Sequence, residues 1–187
     1  MRLLIASTTR SGSVELPLAI SATEIFNGTI ENAADLRRKL FDITPNNEEF
    51  KNGFETARVS KAQLARYHLR SLEMAAKGES QPWFIPIDDR SIINLEHVLP
   101  KKPEGNWPQF SEDEVGLFAN RLGNQVLLRA RDNSELRSVG FADKKQIYAN
   151  SPYVLTSQIA ELNDWNVPAV VTRQKKLADL AVQAWPI

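Results

Sequence analysis

The 187-residue sequence contains no cysteine and only two histidines, His68 and His97. Without cysteine, the chain can form no disulfide, no thiolate nucleophile and no sulfur-ligated zinc site. With two histidines, a metal site built from several imidazoles is also excluded. Any metal would have to be held mainly by oxygen ligands, and such ligands favour Mg²⁺ or Mn²⁺.

Long hydrophobic runs and an excess of one charge are also missing. The apolar run near the start, Leu3 to Ala6, is far shorter than the roughly 7 to 15 residues of a signal-peptide core or the roughly 20 of a membrane-spanning helix. We therefore expect a cytoplasmic protein without a membrane segment. The 23 Lys and Arg residues balance the 23 Asp and Glu residues, so any nucleic acid would have to be bound by a local basic patch.

The composition is that of an ordinary globular protein, with 42% hydrophobic and 25% charged residues. The length predicts a single domain over residues 1–187, and the patterns predict an α+β fold that is mostly helical. We divide the domain into four parts by number: an N-terminal segment without a clear pattern (1–45), a helical scaffold (46–90), a two-stranded part (91–150) and C-terminal helices (151–187).

The clearest helix pattern runs from Ser60 to Ala76, where apolar residues recur every three or four positions. Ser60 and Gln63 have the spacing of a capping box at its start. A second capping box, Ser111 with Glu114, predicts a short helix that Gly123 ends.

Two short apolar segments predict strands, Ile92–Val98 and Gln125–Arg129. Helical spacing then returns over 141–148 and over 170–184. The two tryptophans of the C-terminal part, Trp165 and Trp185, are expected to close the core. The order of elements is therefore a strand, a long excursion, a second strand and helices.

Polar residues suited to phosphodiester hydrolysis lie at the ends of these strands. His97 follows Glu96 at the end of the first strand, Asn124 precedes the second, and Asn133 follows it. A neutral imidazole can accept a proton near pH 7, while carboxylate and amide oxygens are ligands for Mg²⁺. Each residue also has an ordinary structural interpretation, because His before proline often packs and Asn often caps helices or forms turns.

A longer pattern surrounds these residues. It comprises Leu95-Glu96-His97-Val98-Leu99-Pro100, Trp107, Leu122-Gly123-Asn124-Gln125-Val126-Leu127-Leu128 and Asp132-Asn133, and continues through Phe141, Lys145, Tyr148, Ser151, Trp165, Arg173, Leu177 and Trp185-Pro186. The pattern resembles the HNH-type nuclease domain at the C-terminus of GmrSD-like modification-dependent restriction endonucleases. The resemblance covers residues 45–187 well and the first 45 only loosely.

The resemblance implies a ββα-metal element (His-Me finger, HNH), in which a β-hairpin and a helix hold one divalent cation within a helical scaffold. His97 would be the general base and Glu96 the acidic metal ligand. Asn133 would complete the metal site, and Asn124 would fix the hairpin and hold the histidine in place. The sequence departs from the usual HNH pattern in two ways, since Asn133 replaces the last His and many HNH enzymes have Asp where Glu96 stands.

Basic residues near these positions are candidate DNA contacts. They are Lys101, Lys102, Arg129, Lys144, Lys145 and Arg173. Solvated lysines are the alternative interpretation for the exposed ones. If Lys145 and Arg173 point inward, they could be either phosphate clamps or buried ion-pair partners.

The function that follows from the resemblance is metal-dependent cleavage of DNA in the restriction of foreign DNA, including modified phage DNA, with Mg²⁺ or Mn²⁺ as the cofactor. An inactive interaction domain of the same fold and a nuclease acting on RNA are the alternatives. Related systems commonly include an N-terminal NTP-dependent domain. No Gly-x-x-x-x-Gly-Lys-Ser/Thr pattern occurs here, so we expect that domain to lie outside this chain, on the same protein or on another subunit.

Overall fold

The computed structural model describes residues 1–2, 5, 12–78, 92–133, 136 and 138–187. These residues form nine α-helices and two strands: α1 (Gly12–Phe26), α2 (Ala33–Lys39), α3 (Asn47–Phe54), α4 (Ala62–Lys77), β1 (Ile93–His97), α5 (Glu112–Phe118), β2 (Gln125–Arg129), α6 (Ala130–Asn133), α7 (Phe141–Ala149), α8 (Val154–Ser157) and α9 (Val167–Ala184). The mostly helical α+β class is thus confirmed. No helix in these ranges is long and apolar enough to cross a membrane.

The starts of two helices test the predicted capping boxes. The Ser111 side chain accepts from the Glu114 N–H and the Glu114 carboxylate accepts from the Ser111 N–H, which confirms the box before α5. The prediction of a capping box at Ser60 was wrong, because α4 begins at Ala62 without a side-chain cap. Residues just before α4 are held in extended form, since the Val59 N–H donates to the Asn120 carbonyl.

The two strands form one antiparallel hairpin. Its register pairs Ile93 with Arg129 at one end and His97 with Gln125 at the other. The bounds of β2 agree with those predicted, and β1 is one residue shorter at each end. The long excursion between the strands therefore leaves from the His97 end and returns to it.

The hairpin lies between two hydrophobic clusters. The first cluster joins α3, α4 and α9 and includes Leu127 of β2, while the second contains Val126 and Leu128. Because alternate residues of a strand point to opposite faces, β2 fills both clusters at once. Fully burying each of these side chains contributes about 1.5 to 3 kcal/mol, so the strand is fixed by core packing on both sides.

The predicted tryptophans contribute to different clusters. Trp165 is completely buried in the second cluster, as expected. Trp185 is half-buried and packs against Phe50 and Phe54 of the first, with ring centroids 6.1 and 6.3 Å away. The chain end thereby closes the first cluster over α3.

The predicted helix stop at Gly123 was wrong. The helix α5 ends at Phe118, and Gly123 lies in a 3-10 turn, Leu122–Asn124, that leads into β2. A Cβ atom at this position would lie 2.5 Å from the Val170 carbonyl oxygen. Glycine is needed here because the turn touches α9. The helix-ending role was predicted only because Gly123 follows the helical segment in the sequence, and that pattern contains no information on α9.

Candidate active site

The last two residues of β1, Glu96 and His97, are the centre of the candidate site. Glu96 is 9% exposed and its carboxylate forms an ion pair with the buried Lys144 of α7. The Lys144 ammonium also donates to the His97 carbonyl oxygen at 2.9 Å. One lysine therefore connects the side chain of Glu96 to the backbone of His97.

Burial governs the protonation of this pair. Burial raises the pKa of Glu96, and the positive charge of Lys144 opposes this increase. Burial also lowers the pKa of Lys144, and the negative charge of Glu96 opposes this decrease. Tyr148 lies one turn further along α7 with its hydroxyl buried. Burial and the nearby Glu96 charge raise the pKa of Tyr148, so its hydroxyl stays neutral.

The His97 ring meets Gln125, its partner in the hairpin ladder. Nε2 of the Gln125 amide lies 3.3 Å from Nε2 of His97 and also donates to the Val59 carbonyl oxygen at 2.8 Å. Since an amide nitrogen can only donate, this contact favours the tautomer that carries its proton on Nδ1. Burial, followed by the charges of Lys101 and Lys144, lowers the pKa of His97 to about 4, so the imidazole is neutral near pH 7.

Asn124 is fully buried and fastens the chain just after His97. Its Oδ1 accepts from the Leu99 N–H at 2.8 Å and from Trp165 Nε1 at 2.9 Å. Its Nδ2 donates to the carbonyl oxygens of Leu99 at 2.9 Å and Ala119 at 3.1 Å. With both ends of the amide used inside the fold, Asn124 acts on the site by positioning the backbone around His97.

Arg173 has a place in the fold that differs from the predicted DNA contact. Its guanidinium is buried and donates to four backbone carbonyl oxygens: those of Leu122, Gly123, Gln125 and Leu155. Burial lowers the pKa of Arg173 to about 10. Because its donors are used within the protein, we assign Arg173 to holding the turn that carries Asn124, in place of a phosphate contact.

Lys144 requires the same correction. Its side chain is completely buried, and its ammonium bonds Glu96 and the His97 carbonyl oxygen. The structure therefore gives Lys144 no face toward a DNA phosphate. The neighbouring Lys145 is half-buried, with its ammonium 5.9 Å from the Phe141 ring centroid.

The other candidate DNA contacts lie at two ends of the hairpin. Lys101 and Lys102 are exposed in the loop that follows the His97 end, and the Lys101 charge is near enough to lower the pKa of His97. Arg129 lies at the opposite end and pairs with Asp132 at 2.6 Å. Lys101 is thus the exposed cation of the predicted set whose charge acts on His97, and Lys102 follows it in the same exposed loop.

Asn133, the remaining predicted ligand, lies on the short helix α6 that follows β2. It ends α6, which follows β2 at the Ile93 end of the hairpin. Among the described residues, no hydrogen bond or ion pair joins the Asn133 side chain to Glu96 or His97, so its ligand role stays a prediction.

Sequence reasoning missed the buried role of Lys144 and the contact of Gln125. The signal for Lys144 is in the helix period, because Phe141, Lys144 and Tyr148 form one buried stripe of α7. A lysine in an apolar stripe needs an acidic partner, and Glu96 is the partner it finds. For Gln125, the alternation along β2 places it on the same face as Leu127, but only the register puts it opposite His97.

The donor set of the site limits which metal it could hold. In the part of the chain that the structure describes, no three His, Cys, Asp or Glu side chains form a group that could hold a metal ion. Glu96, which precedes His97 in β1, offers a hard carboxylate oxygen. These residues fit a cation that keeps most of its ligands as water, as Mg²⁺ and Mn²⁺ do, and they do not fit a zinc ion that needs four protein ligands.

Comparison with known proteins identifies the family of the chain. Residues 44–180 match the model of the GmrSD restriction endonuclease C-terminal domain, which includes β1, β2 and most of α9. A search of curated proteins finds no match to the chain. Because the matched region spans most of the sequence, the chain belongs to the family of GmrSD restriction endonuclease C-terminal domains.

Proposed function

We propose that this domain is a metal-dependent endonuclease that hydrolyses phosphodiester bonds of DNA, with His97 as the general base and Glu96 as a ligand of the cation. The observation that carries the proposal is that Glu96 and His97 are consecutive residues at the end of β1, where Lys144 bonds the carboxylate of the first and the backbone carbonyl of the second. Membership of a restriction endonuclease family supports DNA as the substrate.

The residues divide the chemistry between them. His97 accepts a proton from the attacking water, which then forms a bond to phosphorus while the bond from phosphorus to O3′ breaks. The products are a 5′-phosphate and a 3′-hydroxyl, whose proton comes from solvent. A bound divalent cation would neutralise charge on the phosphate and on the leaving oxygen.

The low pKa of His97 suits this role in the free protein and changes when substrate binds. With a pKa of about 4, the imidazole is neutral at pH 7. Its Nε2 lone pair faces the Gln125 amide in the free protein, so the ring must leave this contact before it can accept the proton of the water. A phosphate anion beside the ring would stabilise the protonated form and raise the pKa toward the range of an effective base. The exposed Lys101, whose charge acts on the ring, and Lys102 next to it in the chain would supply the attraction for that phosphate.

A cleavage assay with matched histidine variants tests the proposal. Plasmid, linear duplex DNA, single strands and RNA are incubated with the protein and Mg²⁺ or Mn²⁺, with and without EDTA. The variant His97→Ala should lose cleavage by about 10² to 10⁴. The variant His68→Phe removes the other histidine, which lies outside the site, and should cut like the wild type at neutral pH.

The outcomes separate the proposal from its alternatives. Full cleavage by His97→Ala excludes His97 as the base. A folded wild-type domain that cuts no substrate with either metal indicates an interaction domain, and a preference for RNA indicates the other nuclease class. Loss of Mn²⁺ affinity in Asn133→Ala would place Asn133 on the cation, and unchanged affinity would remove it from the ligand set.

We also propose that the domain acts together with an NTP-dependent partner domain or subunit that selects foreign or modified DNA. The formal net charge of this chain is zero, so the domain alone exerts little long-range attraction on DNA. Selection by a partner would bring the site to its substrate. Cleavage of modified over unmodified DNA only when the partner and NTP are present would support this arrangement.

A further inference from the structure

Lys144 has surroundings that are unusual for a lysine. Its side chain has no exposed surface, and its ammonium pairs with Glu96, donates to the His97 carbonyl oxygen at 2.9 Å and lies 5.7 Å from the Trp107 ring centroid. Lysine is almost never fully buried unless it is paired. The fold therefore maintains one positive charge beside Glu96.

The same carboxylate is the proposed ligand of the divalent cation. Glu96 carries a single negative charge and is nearly buried. One cation is enough to neutralise that charge, and a second cation at the same place would be an uncompensated buried charge. A divalent ion on Glu96 would lie within a few ångströms of the Lys144 ammonium, and the two positive charges would repel each other. The ammonium and the metal ion therefore compete for Glu96.

We propose that Lys144 is an internal counter-ion that holds the place of the catalytic cation on Glu96 and must be displaced when the metal binds. The inference rests on the proposed function, because it takes Glu96 as the metal ligand. It assigns Lys144 a role in setting metal affinity. It predicts weak metal binding by the free domain and tighter binding once the lysine charge is removed.

Metal binding without DNA tests the inference directly. Binding of Mn²⁺ to the whole chain is followed by electron paramagnetic resonance of the free ion, and thermal unfolding is recorded with and without Mn²⁺. The variant Lys144→Met keeps most of the side-chain volume and should bind Mn²⁺ about tenfold more tightly or better, a usual size for coupling between two sites. Its melting temperature should rise with Mn²⁺ more than that of the wild type.

Two further variants serve as controls. Lys145→Met removes a neighbouring charge from the same helix and should leave Mn²⁺ affinity unchanged. Glu96→Gln with Lys144→Met removes both charges of the pair, so it should fold without metal and bind no Mn²⁺ at this site. If Lys144→Met folds only in the presence of Mn²⁺, the metal has replaced the ammonium, as proposed.

Three results would overturn the inference. The first is a Mn²⁺ affinity of Lys144→Met within about threefold of the wild type, a change too small for direct competition. The second is that no variant binds Mn²⁺. The third is that Lys144→Met fails to fold with or without Mn²⁺ while the double variant folds. Cleavage is measured separately. If the wild type cleaves DNA and Lys144→Met has unchanged Mn²⁺ affinity, the counter-ion role of Lys144 is refuted and the nuclease proposal stands. If Lys144→Met binds Mn²⁺ more tightly but neither protein cleaves, the counter-ion role stands and the nuclease proposal is refuted.

Discussion

Asn124 bonds both backbone groups of Leu99, accepting from its N–H at 2.8 Å and donating to its carbonyl oxygen at 2.9 Å. Leu99 is two residues beyond His97, so this pair of bonds fixes the direction in which the chain leaves the candidate site. All of these groups are buried. The position of His97 thus depends on a side chain that comes 27 residues later in the sequence.

Replacing Asn124 by alanine should destabilise the protein strongly. The change leaves the Leu99 backbone groups and Trp165 Nε1 buried without partners, and each unpaired group costs about 1 to 3 kcal/mol. We expect a loss of roughly 3 kcal/mol or more in the free energy of unfolding, measured by urea denaturation. Cleavage should also fall at temperatures where the variant is still folded, because the chain after His97 is no longer fixed.

The control for that variant is Asn120→Ala. Asn120 has the same side chain four residues earlier, but its buried Oδ1 has no hydrogen-bond partner. Its removal should change stability by less than about 0.5 kcal/mol. Equal losses in the two variants would contradict the bonding pattern of Asn124.

Gly123 provides a test of the contact between the turn and α9. A Cβ at Gly123 would lie 2.5 Å from the Val170 carbonyl oxygen and 2.9 Å from two side-chain atoms of Gln174. Gly123→Ala must therefore push the turn and the helix apart, at a cost of about 1 to 3 kcal/mol in the free energy of unfolding. Gly116→Ala is the matched control, since nothing lies within 4 Å of its Cβ and alanine favours the helix there by about 0.5 to 1 kcal/mol.

The elements that sequence patterns predicted correctly are those whose signal is local. The Ser111 and Glu114 side chains bond each other's backbone within one turn, and β2 is an apolar run of strand length, so both were predicted at the right residues. Apart from the capping box at Ser60, the errors concern contacts between distant parts. The requirement at Gly123 comes from α9, and the burial of Lys144 comes from Glu96, 48 residues away. No local pattern contains either partner.

The candidate site follows the same division. That Glu96 and His97 end a strand could be read from the apolar run before Pro100. The bonds of Asn124 to Leu99 depend on the turn between α5 and β2. This turn reaches Leu99 only when the two strands have paired. The sequence therefore predicted which residues lie near the site better than which atoms they contact.

The pH dependence of stability should depend in part on His68. This residue is 2% exposed on α4, and neither ring nitrogen has a hydrogen-bond partner. Burial, followed by the charge of the N-terminus, lowers the pKa of His68 to about 4 from 6.5. Between these values the unfolded chain binds the extra proton, so the free energy of unfolding falls as the pH drops from 6.5 toward 4.

The variant His68→Phe isolates this contribution. It keeps a ring that can pack against Trp185, whose centroid lies 6.0 Å from that of His68. The wild type should lose up to about 3 kcal/mol more than the variant between pH 7 and pH 4, as the shift of the pKa requires. Urea denaturation at a series of pH values measures the difference, and parallel curves for the two proteins would contradict it.

Arg173 gives the sharpest choice between a fold role and a DNA role. If its four backbone bonds hold the turn before β2, Arg173→Met leaves the carbonyl oxygens of Leu122, Gly123 and Gln125 without their buried donor. The free energy of unfolding should then fall by about 3 kcal/mol or more. Lys175→Met, which removes an exposed charge from the same helix, should stay within about 0.5 kcal/mol of the wild type. A DNA contact would give the opposite result for Arg173→Met, with unchanged stability, weaker DNA binding and a smaller dependence of that binding on salt concentration.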